Sequence, residues 1–484
     1  MTDSEFWGLT VYEMLHRMAK AYGSRMLFSY LEEGNVKEVS HQQFFRDICV
    51  TAEHFAALGL KGKRVVIDSR NTYEQVVSLF AAVSMGAVAV PLNFDLSEED
   101  LLDTAKRVEP AMVVYDPEDE ALAGRMGLEE SCLLASHGNG ASESVRKWLD
   151  RDGEPGWSEY GGSPDSPALI LLTSGSTSRS KLVVLNHYAF FPHVGMETEK
   201  SIFLLPMSHI AGLIILMNDM VRGTHICLSN MKNGMADIRW FRPKDIFTVP
   251  MFVTMMIKQH KKNRLDLSSV KNISSCGAPQ NLEAAEYLLS LGIFSASFYG
   301  TTEVSGTVTY STPREYRFGS VGRPGPWNQI RISKSGEILI RGKTVMLGYL
   351  GDEQASGEAL EEGWYHTGDI GYLDEDGYLF LTGRMKNIII LSNGENVSPE
   401  ALEERLYRCA LIEEVVVYGE DDKLAASVWC GEGTGEREQE EVREYIFRFN
   451  QTMPRFHNIR KVVFRDKPFE KTGSGKIKRA SAWG

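Results

Sequence analysis

The sequence predicts an α/β fold: a large N-terminal domain of α/β sheets carrying a β subdomain, followed by a small mobile α+β C-terminal domain. Three observations predict it. Strand-like and helix-like segments alternate through the first half of the chain; after about Phe318 the texture becomes glycine-punctuated and strand-rich; and beyond Gly383-Arg384-Met385-Lys386-Asn387 a last stretch has helix and strand signals of its own. The division falls at 1–385 and 386–484.

Ser40 and Gln43 have capping-box spacing and open a helix expected to run to about Leu58. Residues 64–67 form a short apolar strand, 73–85 have helical spacing, and 87–92 and 111–115 read as strands again. The same rhythm gives strands over 168–172, 202–205, 224–228, 245–249 and 272–275, as expected for parallel sheet covered by helices. In the β subdomain, strands are predicted over 330–333, 337–341, 371–373 and 378–382. In the last stretch Ser398-Pro399 starts a helix, 414–418 and 424–429 are strands, 431–441 is a charged surface turn, and a helix runs through 440–449.

Lys plus Arg number 52 against 65 Asp plus Glu, a balance of −13, which excludes nucleic acid or an anionic membrane as the main partner. Six cysteines occur without a CxxC pair, which fits reduced thiols and excludes a disulfide framework or a thiolate zinc site. The acidic start Met1-Thr2-Asp3-Ser4-Glu5 is followed by no apolar core, and no run approaches the roughly 18 apolar residues of a membrane span. A cytoplasmic protein is expected.

The densest chemical signal is Leu171-Leu172-Thr173-Ser174-Gly175-Ser176-Thr177-Ser178-Arg179-Ser180-Lys181. A turn rich in hydroxyls, leaving a buried strand, can aim backbone N–H groups, Ser/Thr O–H groups and the Lys181 ammonium at one polyanion, so a nucleotide is the expected ligand. The Walker pattern is not met there, nor at Gly473-Ser474-Gly475-Lys476, where Glu470 stands in place of the first glycine.

Read in order, further motifs join this loop: Pro206-Met207-Ser208-His209, Gly277-Ala278-Pro279, Tyr299-Gly300-Thr301-Thr302-Glu303, Gly336-Glu337-Ile338-Leu339-Ile340-Arg341-Gly342, Tyr365-His366-Thr367-Gly368-Asp369, Gly383-Arg384-Met385-Lys386, Asn393-Gly394-Glu395-Asn396-Val397 and the Gly473 to Lys476 turn. The set resembles the AMP-forming adenylating superfamily of acyl-CoA synthetases, peptide-synthetase adenylation domains and luciferases. The resemblance implies ATP, Mg²⁺ and CoA as cofactors and a small carboxylic acid as substrate. An acyl carrier protein is a further possible partner.

It also implies roles. Thr173, Ser174, Gly175, Ser176, Thr177 and Lys181 would hold phosphate; Glu303 would hold the metal and Thr302 would donate to the α-phosphate. Asp369 would accept both ribose hydroxyls, with Arg384 donating to the same sugar. Gly277, Ala278, Pro279 and Tyr299, with Gly300 and Thr301 beside it, would receive adenine. Lys476 would bridge the attacking carboxylate and the α-phosphate, His209 would stand beside the acyl pocket, Lys386 would be the hinge of a swinging C-terminal domain, and Gly394 would line the thiol channel.

The chain departs from the family pattern at Ser178, Ser180 and Leu182, where the family carries glycine, proline and glycine; fewer glycines stiffen the loop, ATP binding is expected to survive, and whether turnover is slowed stays open. No carboxylate occurs in 206–212, where members selecting α-amino acids place one against the substrate ammonium, so a simple acid is expected. Residues 388–396 look like those of fatty-acyl ligases and 206–213 like those of aryl-acid and succinylbenzoate ligases, which leaves aliphatic and aromatic acids both open. The resulting reading is a carboxylic acid–CoA ligase releasing AMP and pyrophosphate; the alternatives are an enzyme loading carrier-protein phosphopantetheine and a non-catalytic nucleotide- or acyl-binding homologue.

Overall fold

The computed structural model describes residues 5–138, 143–151, 155–156, 162–173, 180–191, 198–277, 282–391, 396–471 and 477–479. Two seven-stranded sheets form the front of the molecule. The first runs Phe294–Ser297, Asn272–Ser275, Asp245–Thr248, Lys200–Phe203, His225–Leu228, Met26–Glu32 and Asn35–Ser40, parallel except for the last strand. The second runs Gly348–Tyr349, Leu182–Asn186, Pro167–Leu172, Val88–Leu92, Arg64–Asp68, Met112–Tyr115 and Leu133–Ala135.

Strands buried on both faces need apolar side chains at every position, and adjacent residues then enter different cores. Val65 and Ile67 join the large core between the sheets while Val66 packs on the outer side of the second sheet; Phe203 enters the large core while Ile202 meets Phe252 and Met256 beneath the first. The predicted helix over 73–85 is observed as Tyr73–Ser84, buried along its whole length. The β subdomain is an antiparallel sheet of Asn328–Ile332, Glu337–Gly342, Trp364–Leu373 and Leu360–Glu361, with Leu379–Arg384 paired to Trp364–Leu373.

The last stretch has its own core. Leu402 and Leu406 of the helix Pro399–Leu406 and Val442 and Ile446 of the helix Glu436–Gln451 pack on Val415, Val417, Leu424 and Ala426 of a three-stranded sheet. The start of this stretch is fastened to the β subdomain: Ser398 Oγ donates to the Thr382 carbonyl, and Asn387 Nδ2 donates to Glu400 Oε1 at 2.5 Å.

Two local expectations are corrected. The helix predicted to open at Ser40 runs His41–Ala57, and Ser40 Oγ accepts from Gln43 N at 3.1 Å, but the reciprocal half of the capping box is not made. Gln43 Nε2 instead donates to the buried Asp47 at 2.8 Å, which also accepts from Tyr73 OH at 2.6 Å, because a buried carboxylate has more need of donors than an exposed cap has of an acceptor. The charged turn expected over 431–441 becomes helix from Glu436, since Glu438 Oε2 caps the Gly435 N–H at 3.0 Å.

Beneath the helix Ile210–Val221 lies a small cavity walled by Ser201, Asn218, Asp219, Asp245, Phe247 and Phe298. Ser201 Oγ donates to Asp219 at 2.5 Å, and Asn272 Nδ2 to Asp245 at 3.3 Å. Burial, reinforced by the Asp219 charge, raises the Asp245 carboxyl to about 7; burial raises Asp219 to about 6. Raised carboxyl pKa values mean that the folded state holds protons the unfolded chain has lost, so this contribution to stability is complete below the unfolded value of 3.8 and is lost as pH rises through about 7. Asp245→Asn removes the titration, and its stability relative to the parent, measured by urea unfolding at a series of pH values, is expected to improve as pH rises from 5 to 8, by on the order of 1 kcal/mol. A pH-independent difference would contradict the assignment.

Candidate active site

The site is assembled where the first sheet, the β subdomain and the strand leaving the phosphate loop meet. The loop is carried by a β-hairpin: Pro167–Leu172 and Leu182–Asn186 are antiparallel with Leu172 opposite Leu182, and beyond that pair Thr173 N donates to the Lys181 carbonyl at 3.0 Å while Lys181 N donates to Thr173 Oγ1 at 3.3 Å. Thr173 and Lys181 therefore clamp the mouth of the loop. Ser174, Gly175, Ser176, Thr177 and Ser178 lie outside the described residues.

Tyr299-Gly300-Thr301-Thr302-Glu303 forms a tight hairpin in which Gly300–Thr301 pairs with Gly306–Thr307 and Thr302–Val304 make a single 3₁₀ turn at the tip. A Cβ at Gly300 would stand 1.6 Å from the Gly306 carbonyl oxygen, so only glycine permits this approach. Ser305 closes the turn at φ +59°, its Oγ donating to the Thr344 carbonyl at 2.6 Å. Glu303 is thereby presented at a tip held from both sides.

Asp369 and Arg384 stand directly opposite each other on Trp364–Leu373 and Leu379–Arg384. Arg384 Nε lies 2.6 Å from Asp369 Oδ1, and Tyr299 OH donates to Asp369 Oδ2 at 2.9 Å. Burial and the Asp369 charge hold the Tyr299 phenol well above its ordinary pKa, so it remains a donor. Tyr365, Thr367 and Asp369 alternate onto the buried face of one strand, and Thr367 Oγ1 accepts from Asp369 N at 3.0 Å while donating to the Ile338 carbonyl at 2.7 Å. The ring of Tyr299 belongs to the core, which gives it a bracing task besides any contact with adenine.

Two tyrosines without a role in the sequence reading join the Glu303 tip. Tyr349 OH donates to Glu303 Oε1 at 3.1 Å, and Lys181 Nζ lies 4.4 Å from the centre of the Tyr349 ring. Tyr365 is buried beside them, and Glu303 and Tyr349 both act to raise its phenol pKa. Tyr365 stands within a quoted motif and so had a signal; Tyr349 sits in the apolar run 345–350, which reads as plain strand.

His209 occupies the N-cap position of Ile210–Val221 and is half-buried. A Cβ on Gly212 would stand 2.6 Å from the Pro206 carbonyl oxygen, so the first helical turn lies directly on the 206–209 segment. Asn71 Nδ2 braces the approach, donating to the carbonyls of Leu205 at 3.0 Å and Ser229 at 2.8 Å. Gly277 ends the strand Asn272–Ser275 with φ +85°; Ala278 and Pro279 lie outside the described residues, as do Gly394 and Lys476. Lys386 is exposed in the 3₁₀ turn Met385–Asn387, next to Arg384. Among the described residues near the C-terminal end, Lys471 pairs with Glu414 at 2.5 Å, Lys478 with Glu470 at 4.0 Å, and Arg479 with Glu403 and, at 3.3 Å, Glu400.

Whether these groups suit a magnesium nucleotide can be judged from their chemistry. Glu303 is a carboxylate, a hard oxygen donor suited to Mg²⁺, with one oxygen accepting from Tyr349, and among the described residues Thr301 Oγ1 is buried without a hydrogen bond of good geometry. With the Lys181 ammonium on one side and the Asp369–Arg384 pair on the other, the donor set fits phosphate, metal and a diol.

Comparison with known proteins agrees. Residues 15–350 match the family model of the AMP-binding enzymes and residues 386–483 that of the AMP-binding enzyme C-terminal domain, and the chain belongs to this family. Its relatives include a long-chain-fatty-acid–CoA ligase of Mycobacterium bovis, 27% identical over 82% of this chain and 77% of the relative, and a 2-succinylbenzoate–CoA ligase of Bacillus cereus, 29% identical over 83% and 85%. The fold matches an anthranilate CoA ligase solved with anthranoyl-AMP (TM-score 0.87, 19% identity, 99% of this chain and 98% of that one). It also matches the o-succinylbenzoate CoA synthetase of Bacillus subtilis solved with its acyl-adenylate (TM-score 0.81, 22% identity, 98% of each chain).

Tyr299→Phe removes one donor from Asp369 and keeps the core ring. ATP affinity measured by calorimetry is expected to fall about ten- to a hundredfold, the worth of one hydrogen bond to a charged group. Affinity equal to the parent's would show that Asp369 needs no brace.

Proposed function

We propose that this protein is an ATP-dependent carboxylic acid–CoA ligase. A carboxylate oxygen attacks the α-phosphorus of ATP, the bond to the β-phosphate oxygen breaks, and pyrophosphate leaves; the thiol of CoA then attacks the acyl carbon of the adenylate, giving a thioester and AMP. The observation that carries this reading is the convergence of Lys181 and Glu303 on one phenol, beside the Asp369–Arg384–Tyr299 cluster, in a chain of the AMP-binding enzyme family.

The first step brings anions together, so positioned positive charge and donors do most of the catalytic work. Thr173 to Thr177 and Lys181 hold the phosphates, Thr302 donates to the α-phosphate, and Asp369 takes the ribose diol with Arg384 beside it. Gly277, Ala278 and Pro279 bound the adenine together with Tyr299, Gly300 and Thr301. Glu303 would hold Mg²⁺, which when bound would supply positive charge against the departing pyrophosphate. Lys476 spans the attacking carboxylate and the α-phosphate; after adenylation the 386–484 domain turns about Lys386, taking Lys476 away and bringing Gly394 to the thiol channel. A boundary at residue 386 is supported by the start of the second family model there and by the separate core of the C-terminal stretch.

His209 borders the acyl pocket. Fatty-acyl and aryl ligases both occur among the relatives, as the sequence hints do, and the acid is a simple carboxylic acid of one of these classes. CoA is the acceptor favoured by those relatives, with carrier-protein phosphopantetheine the other thiol to test. The cytoplasmic setting expected from the sequence stands as a proposal; no helix among the described residues is long and apolar enough to cross a membrane.

Pyrophosphate release across a panel of fatty and aromatic acids, run with and without CoA, tests the reading; release with no acid would overturn it. Lys476→Ala is expected to slow adenylate formation by about a hundredfold or more while sparing thioester formation from supplied adenylate. Equal loss in both half-reactions would contradict the two-conformation mechanism.

A further inference from the structure

Tyr349 lies where three separate parts of the site are tied. Its backbone belongs to the short strand Gly348–Tyr349, which pairs with Leu182–Asn186, the strand leaving the phosphate loop: Tyr349 is opposite Val183, Leu347 N donates to the Val184 carbonyl and Leu350 N to the Leu182 carbonyl, both at 2.8 Å. One residue further back, Met346 N donates to the Glu303 carbonyl at 2.7 Å. The segment 346–350 therefore grips the exit of the phosphate loop and the Glu303 tip by main-chain hydrogen bonds. Ser356 Oγ fixes it from behind by accepting from Tyr349 N at 2.8 Å.

The side chain repeats this bridging. The phenol O–H meets Glu303 Oε1 at 3.1 Å while the ring lies beneath the Lys181 ammonium at 4.4 Å. These contacts use different parts of the residue: the hydroxyl orients the carboxylate, and the ring face, with its negative quadrupole, steadies the cation without neutralising it. A carboxylate or a second lysine at 349 would do one of these and defeat the other. The phenol is buried, and a tyrosine hydroxyl, ordinarily titrating only near about 10, is a hydrogen-bond donor through the physiological range.

We propose that Tyr349 is a positioning residue that couples the metal-holding carboxylate to the phosphate-loop lysine, its hydroxyl aiming Glu303 and its ring seating Lys181. The inference rests on the reading of Glu303 as the metal carboxylate and Lys181 as a phosphate ligand. It implies that the two functions can be separated at one side chain: hydroxyl loss acts on metal-dependent binding, and ring loss acts on binding of the nucleotide itself.

The test is direct binding of ATP to the full-length protein by calorimetry, with magnesium and with EDTA, for the parent, Tyr349→Phe and Tyr349→Leu. Tyr349→Phe, which keeps ring and packing, is expected to bind MgATP about ten- to a hundredfold more weakly and metal-free ATP as the parent does, as for loss of one hydrogen bond to a charged group. Tyr349→Leu is expected to weaken both. Unchanged MgATP binding in Tyr349→Phe, or equal weakening with and without magnesium, would overturn the proposal, the second outcome marking a merely structural residue. If the parent shows no magnesium dependence at all, the reading of Glu303 falls and the coupling falls with it, whereas a magnesium-dependent parent with an unaffected Phe variant sinks the coupling alone. Thermal melting of both variants, with Ser356→Ala as a further variant that loosens the strand without touching the phenol, separates local misfolding from the effect sought.

Discussion

The ion pair between Asp369 and Arg384, closed by the Tyr299 hydroxyl, is the interaction on which the rest of the site depends. It joins three pieces of chain far apart in sequence: the end of the first parallel sheet, the long central strand of the β subdomain, and the last residues before the C-terminal stretch. A buried carboxylate without partners would cost several kcal/mol or take up a proton. Held from two sides, Asp369 is fixed in place, and the position of the β subdomain against the first sheet is set by the same bonds. The Gly383–Lys386 link departs from this point, so the proposed hinge lies beside the proposed ribose site.

Around this anchor the site solves an electrostatic problem. A carboxylate and a triphosphate repel, so the chain supplies fixed donors and cations held by packing. The glycine at 300, admitted because nothing larger fits against Gly306, lets the Glu303 tip project from a hairpin only a few residues long. Phenols recur at the contacts: Tyr299 on Asp369, and Tyr349 on Glu303 with Tyr365 close by. A buried phenol donates without contributing charge, so it can orient an acid while leaving that acid's charge for the ligand.

Much of this was legible in the sequence, for identifiable reasons. Runs such as 65–67 and 112–115 are apolar at each position because both faces of a parallel strand are covered, and the intervening helices announce themselves by spacing and caps. Asp369 and Arg384 were assigned to the same sugar from two separate motifs, and the sheet sets them opposite each other. What escaped were long-range pairings. The hairpin Met26–Glu32 and Asn35–Ser40 completes a sheet whose other strands begin at residue 200, and its second strand is polar and largely exposed, so it shows no core pattern. Gln43 was read as half of a capping box because spacing is local, whereas its actual partner Asp47 is decided by burial. Tyr349 resembles any strand aromatic until Lys181 and Glu303 are seen on either side of it, and the meeting of Asp219 with Asp245 under one helix leaves no trace in a linear reading.

The central claim is that an acid oxygen attacks the α-phosphorus of ATP at the Glu303–Asp369 site. The most direct test is to supply an acid carrying ¹⁸O in both carboxyl oxygens, with ATP, magnesium and CoA, and to follow the label by mass spectrometry. The account predicts one ¹⁸O in the phosphate of the AMP released and none in pyrophosphate, because the bridging oxygen of the adenylate originates in the acid. Label appearing in inorganic phosphate, with ADP as co-product, or thioester formed with unlabelled AMP, would contradict it.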